Sequence, residues 1–63
     1  DGEDELFFVL DGELLVDLEG GRTVALQPHQ GFNIPKGTRH RTRAPQRTVM
    51  LMMSAAGVVP TGD

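Results

Sequence analysis

The chain has 63 residues, among them nine Asp or Glu and six Lys or Arg, carries a formal net charge of -3 and contains no cysteine. This length allows one domain at most, the charge argues against a nucleic-acid-binding protein, and the missing cysteines exclude a disulfide, a thiolate nucleophile and a Cys-based zinc site. Neither an apolar run near the ~20 residues of a membrane span nor a signal-peptide pattern is present, so we expect a soluble, cytoplasmic protein.

Short apolar or alternating segments predict strands along most of the chain. The segment from Glu5 to Leu10 is nearly all apolar after its first residue, and the residues at 14, 16 and 18 are apolar while Glu13 and Asp17 fall on the other face. Alternation continues from Arg22 to Leu26, and a further apolar run extends from Thr48 to Met53. We therefore predict six short strands, with no segment long enough for an ordinary helix.

Turn signals separate these segments. They fall at Asp11-Gly12, Glu19 to Gly21, Gln27 to Gly31, Pro35 to Gly37 and Ala44 to Gln46. Asp11-Gly12 is predicted to make a hairpin turn, since Asp-Gly is a strong hairpin signal. Short strands separated by turns at such regular intervals favour an antiparallel sandwich or barrel over an open sheet.

The ends and edges of this domain lead to two further expectations. Residues 1–63 are predicted to form a single barrel domain, in which the tail from Ala55 to Asp63 is extended and lies over the barrel rather than forming another strand. A homodimer is expected, because one short sheet leaves apolar area and open edges that a second copy covers.

Glu5 and His40 are the candidate functional residues of the sequence. His40 follows the turn at Pro35 to Gly37, where a strand is predicted to begin. Glu5 opens the first apolar run, and alternation places it on the same face as Phe7 and Val9. A carboxylate on a core face is costly unless it is paired, hydrogen-bonded or bound to a metal. The alternative is that Glu5 lies at a frayed strand end and reaches solvent.

Two stretches resemble the motifs of the cupins. The segment from Pro35 to His40 reproduces the P-x-G-x-x-H core of the second cupin motif, and Glu5 to Gly12 reproduces the E-x6-G end of the first. The run DELFFVLDGELLVDL is similar to small single-domain cupins described as mannose-6-phosphate-isomerase-like, and the tail ending PTGD resembles the closing segment of that group. The resemblance covers nearly the whole chain, with the motifs in the right order.

This resemblance implies an all-β fold, the antiparallel cupin-type double-stranded β-helix or jelly-roll barrel. In cupins an H-x-H pair and the Glu of the first motif, with the His of the second, typically hold a metal. Glu5 and His40 are the matching ligands here, for a divalent ion such as Fe, Mn, Ni or Zn. The H-x-H pair belongs three or four residues before Glu5 and is not in the sequence. We expect either a chain that begins after this pair and lacks its N-terminal strands, or a cupin without a complete metal site.

The second motif departs from the family pattern at three positions. His29 stands where its leading Gly is expected, Gln30 where an Asp commonly follows, and Ala44 where its closing Asn belongs. A left-handed backbone is less forbidden to His than to a branched residue. His29 is therefore predicted to replace the Gly in a turn rather than to be a third ligand.

The function implied by the resemblance is the binding of a small polar or sugar-like molecule beside the metal, with isomerase-like or dioxygenase-like chemistry. The predicted pocket is lined by five apolar side chains, those of Phe7, Val9, Phe32, Met50 and Met52. An alternative is a non-catalytic binding module without a complete metal site, in which Arg39, Arg41 or Arg43 contacts an anionic ligand. A purely structural dimerisation barrel is the third interpretation.

Overall fold

The structure, a computed structural model, describes residues 3–55 and 57–62. The described residues form seven strands, which are β1 (Glu5–Asp11), β2 (Leu14–Leu18), β3 (Arg22–Leu26), β4 (Gly31–Ile34), β5 (His40–Arg43), β6 (Val49–Ser54) and β7 (Gly57–Gly62). Among these residues, no helix has the length and hydropathy of a transmembrane segment.

The strands form two antiparallel sheets that enclose one core. The four-stranded sheet has the order β4-β1-β6-β7, and the three-stranded sheet has the order β3-β2-β5. The buried core side chains come from both sheets and are those of Phe7, Val9, Leu14, Val16, Leu26 and Ile34. The predicted all-β, antiparallel class is therefore confirmed, and it follows from period-two alternation that sends one face of each sheet to the core.

The turn at Asp11-Gly12 carries the chain from one sheet to the other, so the predicted hairpin is wrong. β1 pairs with β4 and β6, whereas β2 pairs with β3 and β5. The Thr48 hydroxyl fixes this crossing, since it accepts a hydrogen bond from the Glu13 N–H (3.2 Å) and donates one to the Glu13 carbonyl oxygen (2.9 Å). Gly12 has a φ of +89°, and a Cβ on it would overlap Thr48 and the carbonyl oxygen of Arg47.

The tail also differs from the prediction, because residues 57–62 form a seventh strand. β7 pairs antiparallel with β6, with Val58 opposite Met53 and Pro60 opposite Leu51. Its glycines and proline argue against a central strand, but β7 lies at the edge of its sheet, where a missing N–H is tolerated. Ala56 and Asp63, within the tail as predicted, lie outside the described residues.

His29 occupies the turn position that the sequence suggested. Its φ is +71°, and it is the only non-glycine residue of the described chain with a positive φ. Its N–H donates to the Val9 carbonyl oxygen at 2.7 Å, while the Val9 N–H donates to the Gln30 carbonyl oxygen at 3.0 Å. The prediction that His29 replaces a glycine in a turn is confirmed, and the exposed position of this residue suits a loop.

A charged cluster centred on Asp17 lies on the outer face of the three-stranded sheet. The Asp17 carboxylate accepts hydrogen bonds from the guanidinium groups of Arg43 (2.6 and 2.8 Å) and Arg41 (3.1 Å) and from the Thr23 hydroxyl (2.8 Å). The contacts with Arg43, then Thr23 and Arg41, hold the pKa of Asp17 well below its usual range. The same pair raises the pKa of Arg43.

We predict that replacing Asp17 with Asn lowers stability in a pH-dependent way. Because the folded-state pKa is depressed, the carboxylate stabilises the fold above its unfolded-state pKa of about 4, and this contribution is lost as the pH falls towards the folded-state pKa. Thermal melts of the wild type and Asp17→Asn at about pH 6 and pH 2.5 measure the effect. The wild type should melt higher at the upper pH, and the gap should shrink in acid. A gap independent of pH would contradict the assignment.

Candidate functional site

Glu5 and His40 come from opposite sheets. Glu5 begins β1, a central strand of the four-stranded sheet, and His40 begins β5 at the edge of the three-stranded sheet. The turn before β5 is closed by a hydrogen bond from the Thr38 N–H to the Pro35 carbonyl oxygen (3.2 Å), with Gly37 at a φ of +85°. This turn therefore delivers His40 to the start of its strand, as predicted from the sequence.

The two side chains meet between the sheets. The Nε2 atom of His40 lies 3.3 Å from Oε1 of Glu5, and the two side chains are 15% and 18% exposed. The Phe7 ring lies edge-on to the imidazole, with the ring centres 6.0 Å apart. The structure thus brings the two predicted ligands together in a half-buried position; their role as metal ligands stays a prediction.

The contact at the other ring nitrogen favours one tautomer of the imidazole. Nδ1 of His40 lies 3.1 Å from the carbonyl oxygen of Thr38. A carbonyl oxygen only accepts, so Nδ1 carries a proton and donates it. In a neutral ring the lone pair of Nε2 then faces a carboxylate oxygen of Glu5. Two lone pairs at 3.3 Å repel each other, so this pair requires a proton or a cation between the two atoms.

The spacing of the pair also fits a metal ion. Two ligand atoms that each lie about 2.0–2.2 Å from one ion, at octahedral or tetrahedral angles, are separated by roughly 2.8–3.6 Å. The observed distance of 3.3 Å between Nε2 of His40 and Oε1 of Glu5 falls within this range. Within the described residues, however, no group of three or more His, Cys, Asp and Glu side chains is placed to hold an ion. The described chain therefore supplies half of a four-ligand set.

The five predicted pocket residues belong to the core or border it. Phe7 and Val9 are buried in the hydrophobic core, and three partly buried side chains pack against it, those of Phe32, Met50 and Met52. Strand register explains this placement, because Phe7 lies opposite both Phe32 of β4 and Met52 of β6. These residues share the inner face with Glu5, and whether they contact a ligand stays a prediction.

The three arginines near His40 that were considered as anion contacts do not lie on its face of the sheet. In β5, Arg41 and Arg43 alternate with His40 and lie on the outer face, where both contact Asp17. Arg41 and Arg43 are thus engaged with Asp17 on the outer face, and an anion-binding role for them stays a prediction. Arg39 precedes the strand and is exposed.

Arg22 is exposed at the start of β3, but its strand position is on the inner face of the three-stranded sheet, which the sequence analysis missed. It lies opposite Leu18 in the register of β2 and β3, and Leu18 lies opposite His40 in β5. The guanidinium carbon of Arg22 is 5.8 Å from the ring centre of Phe32. The signal was present in the sequence, because alternation along β3 puts Arg22 on the same face as Val24 and Leu26.

Comparison with known proteins identifies the family. The Cupin domain family matches residues 1–55. The chain is also 54% identical over 48 residues to a Bacillus subtilis (strain 168) protein named "Uncharacterized protein YdbB", an alignment that covers 76% of this chain and 42% of the relative. The chain thus spans less than half the length of this curated relative. No solved structure matches it. With an all-β antiparallel fold and a family match across residues 1–55, this chain belongs to the cupin domain family.

Proposed function

We propose that this cupin domain holds a divalent metal ion through Glu5 and His40 and acts on a small polar or sugar-like molecule beside it. The observation that supports the proposal is the opposed pair itself. The Nε2 lone pair of His40 and a carboxylate oxygen of Glu5 face each other at 3.3 Å, while Nδ1 donates to the Thr38 carbonyl. Metal-binding histidines characteristically donate their other ring N–H to a carbonyl or carboxylate in this way.

The donor chemistry narrows the choice of ion. One imidazole nitrogen and one carboxylate oxygen suit Fe, Mn, Ni or Zn better than Ca or a soft ion such as Cu(I). Such an ion, when bound, polarises a carbonyl group or lowers the pKa of a bound water. This chemistry is compatible with either an isomerase-like or a dioxygenase-like reaction. The two remaining protein ligands are proposed to come from an H-x-H pair encoded upstream of Asp1.

The surroundings of the pair suggest how a ligand is bound. Phe7 packs edge-on against His40 and limits the rotation of its ring. Arg22 lies in the same cross-strand row as His40, two strands away, which corresponds to about 10 Å between their backbones. No ion pair joins Arg22 to another described residue, so its guanidinium is available for a carboxylate or phosphate group of the ligand.

Metal content tests the proposal. We expect the protein, extended upstream to include an H-x-H pair, to purify with about one metal ion per chain, and His40→Ala to weaken binding by at least ~10–100-fold. Glu5→Gln, which keeps the shape of the side chain and removes its charge, should have a similar effect. The measurement is elemental analysis after dialysis against metal-free buffer, together with titration of Zn²⁺ or Mn²⁺ by calorimetry.

His29→Asn is the matched control for this experiment. It removes the other histidine of the chain, which lies exposed in a turn, and Asn tolerates the positive φ found there. Its metal content should equal that of the wild type. Equal metal binding by His40→Ala and the wild type would refute the assignment of the site, whatever the fold.

A non-catalytic binding module is the second candidate function. It is favoured by the ligand count, since the described residues place only Glu5 and His40 together. In this case a hydrogen bond, rather than a metal ion, joins the two groups and links the two sheets. A metal-free extended protein that still binds a small anion through Arg22 would support this function over the first.

A further inference from the structure

A chain of hydrogen bonds connects Glu19, which directly follows β2, to the imidazole of His40. Oε1 of Glu19 accepts a hydrogen bond from the Arg39 N–H at 2.8 Å. The Thr38 carbonyl oxygen accepts one from Nδ1 of His40 at 3.1 Å. The Thr38 carbonyl and the Arg39 N–H belong to one peptide group, which is planar and rigid. The Glu19 carboxylate and the His40 ring are therefore bonded to the two polar ends of the same peptide.

The register of β2 and β5 explains how Glu19 reaches this peptide. Leu18 lies opposite His40, so the next pair along the two chains is Glu19 and Arg39. The Glu19 N–H donates to the Arg39 carbonyl oxygen at 2.9 Å. In a continuing antiparallel ladder, a pair of this kind exchanges two backbone hydrogen bonds. Here the chain turns away at Gly20, whose φ is +87°, and the side chain of Glu19 makes the second bond.

We propose that Glu19 is a positioning residue for His40 and acts through the peptide between Thr38 and Arg39. A carboxylate that accepts the N–H fixes the plane of this peptide. Because hydrogen bonds in a chain polarise one another, it also makes the Thr38 carbonyl oxygen a better acceptor. The carbonyl then holds the Nδ1–H of His40 more firmly and keeps Nε2 directed at Glu5. Glu19 is exposed to competing water, so its effect should be that of one ordinary hydrogen bond.

Asp4 makes the same kind of contact on a different peptide. Its Oδ1 atom accepts a hydrogen bond from the Lys36 N–H at 2.8 Å. The carbonyl oxygen of that peptide belongs to Pro35 and accepts from the Thr38 N–H at 3.2 Å, whereas the imidazole bonds to the Thr38 carbonyl. Asp4 and Glu19 are both exposed, and both fasten the segment before β5. Asp4 therefore matches Glu19 in charge and in type of partner, but its peptide is not bonded to the imidazole.

The test is the exchange of the Nδ1–H proton of His40 with water, measured by NMR of the metal-free, full-length protein labelled with 15N-histidine. This proton is present both in the imidazolium and in the neutral tautomer that donates to Thr38. We expect its exchange to be about 2–10-fold faster in Glu19→Ala than in the wild type. Glu19→Gln keeps an acceptor oxygen without the charge and should give an intermediate rate. Asp4→Ala is the control and should exchange at the wild-type rate.

Zinc affinity is the second measurement, and its interpretation rests on the proposed function. Loss of a group that bonds directly to a metal-binding histidine typically lowers metal affinity about 10–100-fold. Glu19 is one peptide further from the ion, so Glu19→Ala should weaken Zn²⁺ binding by about 3–10-fold, as measured by calorimetry. Asp4→Ala should bind Zn²⁺ like the wild type. A wild type that does not bind Zn²⁺ would refute the proposed function alone, because the proton exchange is measured without metal.

Four exchange results would overturn the positioning role. A wild type in which no Nδ1–H signal is detected would show that the Thr38 carbonyl does not hold this proton. Equal rates in Glu19→Ala and the wild type would show that the carboxylate has no influence on the ring. Equal increases in Glu19→Ala and Asp4→Ala would indicate a general loosening of the turn. A Glu19→Gln rate equal to that of Glu19→Ala would assign the effect to charge alone. Far-ultraviolet circular dichroism checks that each variant keeps its strands.

Discussion

Gly12→Ala should leave the protein largely unfolded at 25 °C. The backbone at Gly12 has a φ of +89°, a conformation that costs an alanine about 1–2 kcal/mol. The added Cβ would also overlap the Arg47 carbonyl oxygen and the backbone and hydroxyl of Thr48. Overpacking of this kind costs typically 1–3 kcal/mol. The expected loss of about 2–5 kcal/mol is comparable to the ~3–5 kcal/mol that a core of this size supplies.

Gly20→Ala separates the cost of the backbone conformation from the cost of the steric overlap. Gly20 has a φ of +87°, nearly that of Gly12, but no atom lies within 4 Å of a Cβ built on it. Its loss of stability should therefore reflect the backbone conformation alone, about 1–2 kcal/mol. Urea unfolding of both variants at one protein concentration, which holds any contribution from self-association constant, measures the difference. Equal losses for the two variants would show that the close approach to Thr48 is unimportant.

Ile34→Ala should have the second-largest effect. Ile34 is 1% exposed, lies in the core between the sheets and pairs in register with Glu5. Truncation of a buried isoleucine to alanine costs about 2–5 kcal/mol, because contacts are lost and a cavity remains. A short edge strand such as β4 cannot readily collapse to fill that cavity without losing its pairing with β1. We therefore expect urea melts to show most molecules unfolded in dilute buffer.

Leu15→Ala is the control for core truncation. It removes a similar number of carbon atoms from a half-buried side chain on the outer side of β2. Little cavity forms there, so the cost should stay below about 1.5 kcal/mol. A loss as large as that of Ile34→Ala would indicate that the outer face of the three-stranded sheet is packed in the folded protein.

Strand positions were the most predictable part of this fold, for a physical reason. Alternation and apolar runs report burial directly, and they placed β1, β2, β3 and β6 close to their observed bounds. Local patterns of this kind do not show which strands pair with each other. Asp11-Gly12 has the composition of a tight turn, yet the strands on either side of it belong to different sheets. The composition of β7 suggested a loop because edge strands tolerate Pro and Gly.

The candidate site was partly predictable as well. The motif spacing singled out Glu5 and His40, and the structure places them 3.3 Å apart. The hydrogen bond from Nδ1 of His40 to Thr38 depends on the detailed course of the turn and could not be inferred. The inner-face position of Arg22 was missed for a simpler reason, since strand parity, not proximity in sequence, decides which face of a sheet a side chain occupies. Parity along β5 sends Arg41 and Arg43 outwards, and parity along β3 sends Arg22 inwards.

The central position of β1 also governs how the chain acquires its structure during synthesis. β1 is made before the other described strands, but its partners are β4 and β6, and Asp11 pairs with Val49. A ribosome adding ~5–20 residues per second takes roughly 2–8 s to cover that separation. Even with β4 in place, the edge of β1 that pairs with β6 stays unpaired during this interval. Folding dominated by such distant pairings is intrinsically slow. Yield in the cell should therefore depend on chaperones that hold extended apolar segments more strongly than on the final stability of the barrel.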